Sequence, residues 1–201
     1  MMSNFLPYID EPNKIYIIGG RKVGKSSLFR LLFNQPFMEK MQPSMIGITK
    51  AALSSNGKTY TVKDLTDSEE YKCTKIFINE IEDVLCVIAM FSLTDRDSFE
   101  KAKHLLTFAQ SNITNNEDIQ MILCGNKYDL IIEDSNNRAV QIEEIEEYVK
   151  SIHNCKYFDI SCKTSLNVDK VTQMVNELEV QSNEEDTEEV KEKEKKSCVI
   201  F

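Results

Sequence analysis

IYIIGGRKVGKSSLF (residues 15–29) runs from an apolar stretch through two glycines to a lysine and two serines, then turns apolar again. Gly19-Gly20-Arg21-Lys22-Val23-Gly24-Lys25-Ser26 matches G-x-x-x-x-G-K-[ST], placed between a strand-like and a helix-like segment, the setting that gives this pattern its meaning. Glycines let backbone N–H groups turn inward around a phosphate, and the N-terminus of the following helix adds a favourable dipole. Gly19, Arg21, Lys22, Val23, Gly24, Lys25, Ser26 and Ser27 are therefore candidate nucleotide-binding positions. Lys25 is expected to reach the β- and γ-phosphates, and the Ser26 hydroxyl to hold Mg²⁺. Arg21 and Lys22 stand where a close-fitting loop more usually has small residues.

Outward from this loop, strand-like and helix-like stretches alternate. Residues 14–18, 84–91, 120–124 and 156–160 are apolar strand candidates; those at 84–91 and 120–124 are apolar on both faces, as central parallel strands are. Residues 46–53 and 59–64 read as strands joined through Asn56-Gly57, a pair that favours a tight hairpin. Helical periodicity marks the segment after Gly24, then 98–111 with Ser98 as a possible cap, 140–152 and 167–180. The expected fold class is α/β: a single P-loop domain with a six-stranded, mostly parallel sheet and helices on both faces. In such sheets ligands bind at the carboxyl ends of the strands.

The chain of 201 residues, with 41% hydrophobic and 28% charged residues, is long enough for one well-buried domain. Its formal net charge of -9 argues against general nucleic-acid binding, because phosphates would be repelled. No segment has the layout of a secretion signal, and the run at 84–91 is too short to span a bilayer. Six scattered cysteines suggest reduced thiols, with Cys86 and Cys124 in the core. His104 and His153 stand alone and suggest neither a metal site nor a catalytic triad.

CGNKYDL (residues 124–130) and ISCKTS (residues 160–165) each follow a strand. Together with the phosphate loop they resemble the N-K-x-D and S-A-K motifs of small Ras-like GTPases, over about residues 12–180. The resemblance implies GTP/GDP and Mg²⁺ as ligands, with Asn126 and Asp129 reading the base. An Asp129 carboxylate accepts from the guanine N1–H and 2-amino group, donors that adenine lacks. Lys127 and Lys163 are expected along the base plane, with Ser161 and Cys162 beside it. Cys162 replaces the usual alanine at a position that acts through its backbone N–H. FSLTDRDSFEKAKHLL (residues 91–106) and IGITK (residues 46–50) are most like the Rab branch.

The switch regions depart from the family pattern. Aligned on Ile46-Gly47, Met45 takes the place of the threonine that binds Mg²⁺, and a thioether is a poor ligand for a hard cation. Counted from Lys25, Ser44 takes that place and Phe37 becomes the aromatic on guanine. In the second switch Asp64 survives as a metal candidate within DLTDSEE (residues 64–70), while Asp67 and Ser68 stand for the glycine and the water-orienting glutamine. Slow hydrolysis is expected, with Lys25 retained, Ser68 a degenerate catalytic position and Arg21 open between three roles. Arg21 obstructs assisted hydrolysis, or Arg21 or Lys22 offsets the Asp67 charge or acts in cis on the γ-phosphate, or both point to solvent.

Residues 181–201 hold seven acids and four lysines and read as a disordered tail, as residues 1–11 read as an extension. The tail ends Cys198-Val199-Ile200-Phe201, a prenylation box. One lipid binds reversibly, so a lipid-shielding chaperone is expected to let the protein cycle between cytosol and the cytoplasmic face of an endomembrane or the plasma membrane. The expected function is a Rab-like switch in vesicle trafficking, a monomer working with an exchange factor and effectors. A non-hydrolysing, membrane-tethered interaction module is the alternative. A P-loop kinase would need a lid and a second substrate site, for which the base-reading loops leave little room.

Overall fold

Every residue of Lys14–Gly19 is buried, as a strand covered on both faces must be. This strand, β1, lies inside a computed structural model that describes residues 13–39, 48–55, 58–65, 84–112 and 119–178, with 48–55 and 58–65 described by their backbone. The other strands are β2 (Ile48–Ser55), β3 (Lys58–Leu65), β4 (Val84–Ser92), β5 (Gln120–Asn126) and β6 (Cys155–Asp159), and the sheet order is β2-β3-β1-β4-β5-β6. Pairing is parallel from β3 through β6, and β2 runs antiparallel along β3. The sequence expectation of a six-stranded, mostly parallel α/β sheet is met. Ser55 faces Lys58, so two residues join β2 to β3, the spacing that Asn56-Gly57 favours.

The helices are α1 (Lys25–Leu32), α2 (Arg96–Asn112), α3 (Tyr128–Glu133), α4 (Ile142–Ser151) and α5 (Val168–Glu177). Side chains alternate across β1, and each set has its own cover. Tyr16 and Ile18 join Val87, Phe91, Phe99, Leu105 and Ile145 on one face. Ile15 and Ile17 join Ile88, Ile122, Leu28, Leu32, Val171 and Val175 on the other. Leu28 and Leu32, four residues apart, form the buried stripe of α1, and Val168, Val171 and Val175 form that of α5. Phe91 and Phe99 lock α2 onto β4 with ring centroids 4.9 Å apart. Burying one such side chain contributes about 1.5–3 kcal/mol.

One local expectation is corrected. Ser98 does not cap α2: the Asp95 carboxylate accepts from the N–H groups of Asp97 (3.1 Å) and Ser98 (3.3 Å), and α2 starts at Arg96. Ser98 instead accepts from the Ser92 N–H at 2.9 Å and donates to the Asp95 carbonyl at 2.6 Å, fastening the end of β4. Directly after β5, residues 128–133 form the short helix α3, entered through Lys127 at φ +69°. Cys86 and Cys124 are fully buried, as expected, and burial raises both thiols well above their ordinary range. Such thiols are poor nucleophiles.

The parallel strands bring their carboxyl ends to one edge. Gly19 pairs with Met90, Ser92 with Asn126, and Gly125 with Asp159. By backbone register Asp64 lies beside Ile17, near the same edge. Ser44, Met45, Asp67, Ser68, Cys73 and Cys198 lie outside the described residues, as do the expected extension and tail.

Candidate functional site

The turn from β1 into α1 is built on positive backbone angles. Gly19 has φ +142°, and a Cβ there would lie 2.2 Å from the Met90 carbonyl oxygen, so β1 and β4 approach too closely for a side chain. Lys22 follows at φ +57° and Gly24 at φ +103°. The first turn of α1 reads Lys25-Ser26-Ser27-Leu28, with no acid to oppose an incoming anion. The Lys25 side chain folds back over the loop: its Nζ donates to the Gly19 carbonyl at 3.2 Å and the Gly20 carbonyl at 2.7 Å, and the residue is only 6% exposed. A buried ammonium and a helix N-terminus on one concave turn suit a polyphosphate. Arg21 and Lys22 are exposed, Ser26 is half-buried and Ser27 is buried.

Asn126 ties this turn to the other two loops. Its side-chain N–H donates to the Val23 carbonyl at 2.8 Å, and its carbonyl oxygen accepts from the Cys162 backbone N–H at 3.0 Å. One buried amide thus joins the phosphate loop, the end of β5 and the loop after β6. Both atoms face protein, a use that the motif alone does not disclose.

Asp129, in the first turn of α3, is half-buried and accepts from the Ser161 hydroxyl at 2.7 Å. That hydroxyl in turn accepts from the Thr164 N–H at 3.2 Å, which fixes one carboxylate oxygen and leaves the other. Backbone bonds stitch the same loops together, Tyr128 N–H to the Ile160 carbonyl and Ile160 N–H to the Gly125 carbonyl at 3.0 and 2.8 Å. Lys127 is half-buried and Lys163 exposed. Cys162 is 2% exposed; burial, then the nearby Asp129 charge, push its thiol up to about 12 against a smaller opposing effect from Asn126. The side chain is therefore an uncharged filler, and the Cys162 backbone N–H is taken by the Asn126 carbonyl oxygen. Phe37 is half-buried against the face of the core that α1 and α5 cover.

Ser26 and Asp64 are the described candidates for holding Mg²⁺; among the described residues no group of three or more His, Cys, Asp or Glu is placed to bind a metal. His104 and His153 are both exposed.

Three residues beneath the base-side loops carry no motif. The Arg138 guanidinium reaches Asp159 at 2.5 Å, with side chains 15% and 18% exposed. The Tyr157 hydroxyl donates to the other Asp159 carboxylate oxygen. Burial pushes the Tyr157 phenol far above its ordinary range, and the Asp159 charge adds to it. Chain separation hid this group: Arg138 and Asp159 are 21 residues apart, and only the β5–β6 pairing sets Asp159 beside Gly125.

Residues 14–180 match the Ras family. The chain is 27% identical over 165 residues to GTP-binding protein Rhes of Homo sapiens, covering 79% of this chain and 61% of that protein. The mouse Rhes protein gives the same identity and coverage. Ras-related protein Rab-18 of Caenorhabditis briggsae is 32% identical over 156 residues, covering 75% of this chain and 72% of the relative. The chain therefore spans about three fifths of the length of the Rhes proteins and about seven tenths of Rab-18. With the phosphate turn, the Asn126 tie and the Asp129–Ser161 pair on one sheet edge, the match over most of the sequence has one meaning: the chain belongs to the Ras family of small GTPases.

Proposed function

We propose that the chain is a Rab-like guanine-nucleotide switch that binds GDP and GTP, hydrolyses GTP slowly, and acts at a membrane in vesicle trafficking. The observation that carries this is the Asn126 side chain, which holds the phosphate turn and both base-side loops in one arrangement. Lys25 then lies at the phosphate end and Asp129 at the base end. Membership of the Ras family and similarity to a Rab protein support the class.

In this reading the phosphate turn, residues 19 to 27, binds the phosphates. Asn126, Lys127, Asp129, Ser161, Cys162, Lys163 and Phe37 bind the nucleoside. Ser26, Asp64 and Ser44 hold Mg²⁺, which offsets the charge of the β- and γ-phosphates. The G domain is residues 12–180, with 1–11 an extension and 181–201 a tail carrying a prenyl group on Cys198. The protein is a monomer that meets an exchange factor, effectors and a lipid-shielding chaperone, and cycles between cytosol and membrane. No helix among the described residues is long and apolar enough to cross a bilayer.

Ser68 in place of a glutamine leaves the attacking water poorly positioned, and positioning is most of what the protein supplies to phosphoryl transfer. Single-turnover GTP hydrolysis is expected to be slow in the wild type and about tenfold faster with Ser68→Gln. An unchanged rate contradicts the missing-residue explanation. Asp67 and Ser68 together also favour the second reading, a non-hydrolysing interaction module. Equal effector binding by the GDP and GTP forms, with no turnover in either protein, supports that module over the switch.

A further inference from the structure

We propose that Arg138, Asp159 and Tyr157 form a positioning clamp beneath the base-side loops, which sets how long a guanine nucleotide is held and how well its base is discriminated. The inference rests on the guanine-nucleotide reading above and names residues that no motif of the chain contains.

The geometry places the clamp under one backbone point. A Cβ on Gly125 would lie 2.6 Å from Leu93 Cδ2, 2.8 Å from the Tyr157 hydroxyl and 3.1 Å from an Asp159 carboxylate oxygen, so Leu93 and the polar group together leave no room for a side chain on the residue before Asn126. Gly125 and Asp159 are paired across β5 and β6, and each strand runs straight into a base-side loop. A ring of bonds closes around this point. Leu93 N–H donates to the Asn126 carbonyl at 2.9 Å, and Ala139 N–H to the Leu93 carbonyl at 2.8 Å. Arg138, next to Ala139, returns to Asp159. Asn167 then donates to the Asp159 carbonyl at 2.8 Å, which fixes the far end of the 160–166 loop.

A sheltered ion pair is weak support for stability, because apolar residues of similar volume often serve as well. What a carboxylate shared between a guanidinium and a phenol does supply is one defined geometry. Asp159 is followed directly by Ile160, Ser161 and Cys162, so a rotation of its backbone moves both the Ser161 hydroxyl and the Cys162 N–H. Those two groups fix Asp129 and Asn126.

The test uses the full chain, fluorescently labelled GDP, and GDP against inosine diphosphate as competitors. Inosine lacks the 2-amino group, so the ratio of the two affinities reports how well Asp129 is placed. Arg138→Gln and Asp159→Asn are each expected to release labelled GDP about tenfold faster and to narrow the GDP-to-inosine ratio. The double variant is expected to be no worse than either single one, as for partners in one contact. Tyr157→Phe, which removes a hydroxyl and keeps the ring, gives a smaller shift in the same direction if the others fold poorly. Arg138→Lys retains a single N–H to carboxylate contact and is expected to keep most of the wild-type release rate and base ratio. Arg96→Gln breaks the exposed pair with Glu144 and is expected to change nothing. A fall in thermal midpoint with release rate and base ratio unchanged would show a merely structural group and overturn the clamp alone. Failure of the wild type to hold labelled GDP overturns the nucleotide reading and the clamp together.

Discussion

Asp129→Ala is expected to weaken GDP binding by about 10²–10³-fold while leaving ADP binding unchanged. The ionised carboxylate accepts two hydrogen bonds from guanine, and hydrogen bonds to charged groups contribute about 1.5–3 kcal/mol each. Asp129 is half-buried, so solvent screening favours the lower end, about 3–4 kcal/mol for the pair, which corresponds to 10²–10³ in affinity. Part of the loss is indirect. The buried Ser161 hydroxyl donates to Asp129 and loses its acceptor in the variant. Calorimetric titration with GDP and with ADP separates the two effects. Selective loss of GDP affinity marks base reading, whereas equal loss for both nucleotides marks collapse of the loop.

Gly24→Ala is expected to destabilise the protein by about 3–5 kcal/mol, through two contributions of known origin. The backbone sits at φ +103°, where an L side chain costs about 1–3 kcal/mol. The added methyl would also lie 2.1 Å from the Asn126 side-chain nitrogen, so that amide must move. Movement breaks its bonds to the Val23 carbonyl and the Cys162 N–H, at about 1 kcal/mol each. Urea denaturation of the single and double variants with Asn126→Ala measures the coupling. With Asn126 already truncated, the methyl has nothing to strike, and the cost of Gly24→Ala is expected to fall to the backbone part. Full additivity would mean that the amide does not key the loops together.

Much of this arrangement could be read from the chain because its parts are local. The glycine spacing from Gly19 to Gly24, the apolar runs of β1, β4 and β5, and Asn56-Gly57 between two strands each act within a few residues. Caps were less legible. Asp95 and Ser98 are both good cap residues, and only the path of the chain out of β4 decides that Asp95 caps α2 while Ser98 braces Ser92. Helix α3 is six residues long, too short for a periodic signal, and begins at a lysine in a left-handed conformation that its sequence does not advertise. The parts that went unread are those made by sheet pairing. Asn126 meets Val23 across 103 residues, and Arg138 meets Asp159 across 21. Sequence names Asn126 as a base reader; the fold adds its second task as the tie between loops.

The most direct test of the account is the affinity of the purified chain for labelled GDP, for a non-hydrolysable GTP analogue and for ADP, each with and without Mg²⁺. The account predicts tight, Mg²⁺-dependent binding of both guanine nucleotides, with ADP weaker by about 10³-fold or more because Asp129 finds no pair of donors on adenine. Equal affinity for GDP and ADP, or no binding of either, would contradict it.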